Sequence, residues 1–125
     1  MKQPQLAQEW ISDAIIREGK LVGEISYIFC SDEYLHKMNL EHLNHDTLTD
    51  IVTFNYCEDN HINSDLFISI DRVKENAKTF KTSFQNELYR VMIHGILHLL
   101  GYDDKTSEDQ NLMRAREDFY LTLLP

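Results

Sequence analysis

The chain has 125 residues, with 21 acidic against 12 basic side chains and a net charge of −9 at neutral pH. A chain of that length fits one domain, residues 1–125, that buries enough surface to need no disulfide staple. The acidic balance counts against indiscriminate nucleic-acid binding, which depends on Lys and Arg neutralising phosphates.

No apolar run approaches the ~20 residues of a membrane helix, and Met1–Gln5 carries no apolar signal-like segment, so a cytoplasmic protein with no membrane partner is expected. The two cysteines, Cys30 and Cys57, lack CxxC spacing and fit reduced thiols. In chain order, Leu6, Trp10, Ala14 and Ile15 recur at helical spacing and predict a helix over 4–18, closed by Gly19. The apolar run 24–30 predicts a strand. Ser31 with Asp32 and Glu33 predicts a helix start, the helix reaching about Leu40 before a loop over 41–48. Strands are expected at 51–56 and 65–70, joined as a hairpin by the polar stretch 57–64. Asp71 is expected to cap a helix with Val73, Ala77 and Phe80 on its apolar face. Thr82 or Ser83 should cap a long helix to about Leu100. Thr106 and Asp109 open the last helix, with Leu112, Ala115, Phe119 and Leu123 expected to face inwards. This order predicts an α+β fold, a small mixed β-sheet covered by helices in a single compact domain.

The chemistry concentrates in the run from His94 to Asp104. His94 and His98, four apart, share one helix face about one turn apart. Gly101 can take the left-handed conformation that ends a helix and turns the chain back. Asp104, six residues after the second histidine, then returns to the same point, the spacing at which metzincins place a third zinc ligand. The competing reading is a pair of hydrogen-bonded core histidines. Against it, the helix is apolar nearly all round, and buried imidazoles there need polar partners. One metal ion held by His94, His98 and Asp104 meets that need and leaves a fourth position open, as catalytic zinc sites do. A zinc protease carries its general-base Glu directly after the first histidine; here that residue is Gly95, which argues against ordinary peptide hydrolysis. Asp50, just before a predicted strand, and Asp103, beside the inferred ligand, are candidate partners orienting a ligand histidine or plain turn residues. His42 and His45 fall in the predicted loop, as extra ligands, a proton shuttle or solvated side chains, and His36 and His61 carry less signal.

The run His94-Gly95-Ile96-Leu97-His98-Leu99-Leu100-Gly101-Tyr102-Asp103 resembles the signature of the YbeY-type endoribonucleases, a family of ribosomal RNA maturation factors. Thr49-Asp50-Ile51-Val52-Thr53-Phe54 and Asp65-Leu66-Phe67-Ile68-Ser69-Ile70-Asp71-Arg72 resemble two further segments of that family, so the likeness spans about 21–120. It implies a metal-dependent, single-strand-specific endoribonuclease of ribosomal RNA maturation and ribosome assembly. It further implies a Zn2+ or other divalent ion, ribosomal RNA as substrate, and ribosomal proteins or assembly factors as partners. Asp104 stands where the family usually has a third histidine, and Leu43 where it usually has an arginine. Between Arg72 and Arg90 five basic residues face two acidic ones. On charge alone this is a solvated helix face or a cationic strip; with the resemblance, Arg72, Lys74 and Arg90 are expected to contact RNA. The alternatives are a metal-dependent hydrolase of a non-RNA substrate and a non-catalytic binding factor in ribosome assembly.

Overall fold

Trp10, Ile11, Ala14 and Ile15 fall on one side of α1 (Pro4–Arg17), and all four are buried. That stripe sets the first helix against the core of a computed structural model describing residues 4–43 and 49–124. The elements that follow are β1 (Leu21–Cys30), α2 (Asp32–Leu43), β2 (Ile51–Asn55), β3 (His61–Ser69), α3 (Ile70–Thr79), α4 (Phe84–Leu99) and α5 (Ser107–Leu121). The sheet runs β1-β3-β2, with β1 parallel and β2 antiparallel to β3. The expected small mixed sheet with covering helices is therefore present. Among the described residues, no helix is long and apolar enough to cross a membrane.

The hairpin forms, but its turn is tighter than the polar stretch 57–64 suggests. Glu58 and His61 exchange backbone hydrogen bonds across Asp59 and Asn60, both at positive φ (51° and 64°), as a two-residue type I′ connection requires. The polar residues after it belong to β3. Ile62, Ser64, Leu66 and Ile68 alternate onto the buried face, a period of two that the Asn63 and Asp65 side chains obscure in the sequence. Likewise β1 starts at Leu21, three residues before the apolar run, and α2 continues to Leu43.

Two helix readings are corrected. The cap of α3 is Ser69, whose hydroxyl accepts the Arg72 N–H, while Asp71 lies in the first turn and accepts the Asp32 N–H. In α5 the inward stripe is Met113, Glu117 and Tyr120; Leu112, Ala115 and Phe119 face outwards. Hydrogen bonds from α5 to α1 and the turn after it set that rotation: Trp10 Nε1 donates to the Tyr120 carbonyl at 2.7 Å, and the Tyr120 hydroxyl donates to Glu18. Phe80, expected on the apolar face of α3, is 59% exposed, and Val73 and Ala77 alone carry that face.

The long helix α4 is the centre of the core. Ser83 caps it, and Leu88, Val91, Met92, Ile93, Ile96 and Leu97 are buried. Gly95 lies directly on the sheet. A Cβ there would come within 2.7 Å of both Ile51 Cδ1 and Leu66 Cδ2, so the absence of a side chain permits the close approach of helix and strands.

Candidate metal centre

Pressed against the sheet along one side, α4 presents His94 and His98 on another. Their rings meet edge to face with centroids 4.6 Å apart. After Leu99 the helix ends in a Schellman turn: Tyr102 N–H donates to Leu97 O, Gly101 N–H donates to His98 O, and Gly101 has φ of 107°. The reversal brings Asp104 back over the histidines. Asp103 accepts the Asp104 N–H at 2.9 Å and so shapes this turn.

Three donor atoms converge as a result. His94 Nε2 and His98 Nε2 are 3.1 Å apart, and Asp104 Oδ2 lies 3.6 Å from the first and 3.3 Å from the second. Ligands about 2.0–2.1 Å from a tetrahedral zinc sit about 3.3–3.4 Å from one another, so the three atoms are spaced as three corners of such a coordination shell. Two imidazoles and a carboxylate form a donor set suited to zinc and to other divalent ions.

Behind the donors lies a group that sequence reasoning missed. Glu117 of α5, 5% exposed, places Oε2 2.6 Å from His94 Nδ1. An ionised carboxylate only accepts, so His94 carries its proton on Nδ1 and turns the Nε2 lone pair towards the other donors. Glu117 is itself held by Arg90, which donates to Oε1 at 2.9 Å and to Asp118 at 2.6 Å. Burial favours the protonated acid, yet the hydrogen bonds from His94 and Arg90 prevail and keep the Glu117 pKa below its ordinary value. Burial likewise opposes charge on His94, but the Glu117 bond and the negative charges of Glu117, Asp50 and Asp104 raise its pKa. No local signal in the sequence marks Glu117, because the stripe of Met113 and Tyr120 on which it lies departs from the apolar pattern of α5.

A cleft of about 550 Å³ opens beside His94 and Asp104. Asp50, Asn76, Phe80, Arg90, Arg114 and Glu117 line it further. Asp50 is buried enough that its pKa rises, with the nearby His94 charge opposing the rise.

A model of the family Endoribonuclease YbeY matches residues 2–124. The chain belongs to this family. YbeY proteins of high similarity include the endoribonuclease YbeY of Flavobacterium johnsoniae, 56% identical over 91% of this chain and 82% of its own length. That of Christiangramia forsetii is 50% identical over 98% of this chain and 86% of its own. The solution structure of TM1509 from Thermotoga maritima superposes with a TM-score of 0.69 at 27% identity, covering 99% of this chain and 84% of that one. The YbeY family is one of metal-dependent endoribonucleases known for 16S rRNA maturation.

The residues expected to contact RNA divide. Arg72 pairs with Asp32 at 2.7 Å, and Arg90 is engaged by Glu117 and Asp118, so each has an acidic partner within the protein. Lys74 stands exposed on α3. Of the histidines, His61 steadies the hairpin turn, its Nδ1 3.0 Å from Asp59 O. His45 and the side chains of His42 and Leu43 lie outside the described residues.

Proposed function

We propose that the chain is a zinc-dependent endoribonuclease that cuts single-stranded segments of ribosomal RNA during maturation of the small subunit, in contact with ribosomal proteins or assembly factors. The observation that carries this reading is the spacing of His94, His98 and Asp104 as three corners of a coordination shell at the end of a polar cleft. A bound divalent ion supplies Lewis-acid charge that activates water and offsets the charge developing on phosphoryl oxygens. His94, His98 and Asp104 hold it; Glu117 fixes the His94 tautomer; Arg90 ties Glu117 in place. Arg114, more than half exposed though 3.8 Å from Glu117, gives the cleft a cationic group for the RNA backbone, and Lys74 stands exposed on α3 outside the cleft lining. Arg90, and Arg72 at the start of α3, add to that field while remaining paired.

The test is cleavage of a single-stranded ribosomal RNA fragment by protein stripped with a chelator and reloaded with zinc, manganese or magnesium. Zinc should restore cutting best, and His98→Ala should abolish it while leaving the fold intact by circular dichroism. Undiminished cleavage by His98→Ala, or by the stripped protein, overturns the reading.

A further inference from the structure

Phe80 is a large aromatic ring left 59% exposed on the rim of the cleft that ends at His94 and Asp104. Its position is dictated by the end of α3. The Phe80 N–H bonds to Asn76 O at 2.9 Å, Lys81 takes a left-handed φ of 55°, and the Thr82 N–H reaches back to Ala77 O. The stripe of Val73 and Ala77 that seats the helix is buried, and the ring one turn on is not. The surroundings are wrong for an apolar ligand: Asn76 offers an amide, Arg90 and Arg114 offer guanidinium groups, and Lys78 and Lys81 stand exposed on either side of the ring in sequence. The cleft also holds the carboxylates of Asp50, Glu87, Asp104 and Glu117, of which Glu117 pairs with both arginines, so the cations nearest the ring in sequence without a described acidic partner are Lys78 and Lys81. One flat aromatic with an amide beside it and lysines flanking it matches a nucleotide, with base on ring, base edge on amide and phosphate on cation.

We propose that Phe80 is the platform on which a nucleobase beside the cleaved phosphodiester stacks, so that it positions single-stranded RNA and excludes a duplex, whose bases are not free to stack. This rests on the endoribonuclease reading above. Stacking needs a π-face, not merely apolar bulk, so the decisive comparison is among Phe80→Ala, Phe80→Leu and Phe80→Trp in zinc-loaded protein. The substrate is a single-stranded RNA oligonucleotide carrying aminopurine next to its cut site.

The expected result is a KM raised roughly tenfold for Ala and Leu, with kcat within about twofold, and near-normal constants for Trp. Aminopurine fluorescence should be quenched on binding by the unaltered protein and by Phe80→Trp, and not by the other two. Unchanged KM with persistent quenching in Phe80→Ala or Phe80→Leu overturns the stacking role while leaving the nuclease reading standing. Failure of the unaltered protein to bind or cut the RNA overturns both.

Discussion

Glu117 shows how much of a metal centre lies outside its ligands. Removing its charge while keeping its shape, as in Glu117→Gln, frees the His94 tautomer and leaves Asp118 as the one carboxylate bonded to Arg90. Such a loss of ligand orientation typically weakens metal binding by about 10–100-fold. Competition with a chromophoric chelator measures it, and an unchanged zinc affinity would contradict the tautomer argument. Lys81 makes a separate case. A side chain at φ of 55° is strained where glycine is at ease, so Lys81→Gly should raise stability by roughly 1 kcal/mol, read from the urea midpoint. The histidine spacing and the offset of Asp104 were legible because helix periodicity and a C-terminal glycine turn are local. Glu117 was not, because its partner lies 23 residues away and only the rotation of α5 brings them together.

At the scale of elements, caps and hairpin turns were readable and faces were less so. Ser83 and Thr106 cap α4 and α5 as their sequence positions suggest. The face of α5 could not be read from hydrophobicity, since Leu112 and Phe119 face outwards while Glu117 faces inwards. Polar partners across α1 and α4 decided the rotation. The contact of α4 with the sheet yields a prediction of its own. Gly95→Ala would gain roughly 1 kcal/mol of helix propensity but drive a methyl into Ile51, Leu66 and Thr53 together. Overpacking of this kind costs about 1–3 kcal/mol, so a net loss of stability is expected in thermal melts. A more stable Gly95→Ala would mean that helix and sheet separate freely.

For the molecule as a whole, Asp32 links three elements, accepting from Ser69 Oγ at the end of β3 and from Arg72 of α3 while opening α2. The Arg72 hydrogen bond, outweighing burial and aided by Ser69, holds the Asp32 pKa below its ordinary value. The folded pKa is therefore below the unfolded value of about 3.9. The associated stability is fully present above that pH and is lost as pH falls through the folded pKa. Urea titrations across this acidic range should show a shallower decline for Asp32→Asn than for the unaltered protein. An identical acid limb would remove Asp32 from the account. The α+β architecture was legible in the order of periodic segments; the strand order was not, because β1 and β3 pair across more than thirty intervening residues.

The missing side chain at position 95 reaches further than packing. Because both imidazoles ride on a rod seated without clearance on the strands, any change in the thickness of that hydrophobic floor tilts the rod and carries the two nitrogens with it. Trimming Leu66, a residue with no polar atom in its side chain and no place in the cleft, should therefore loosen the grip on zinc before the protein melts.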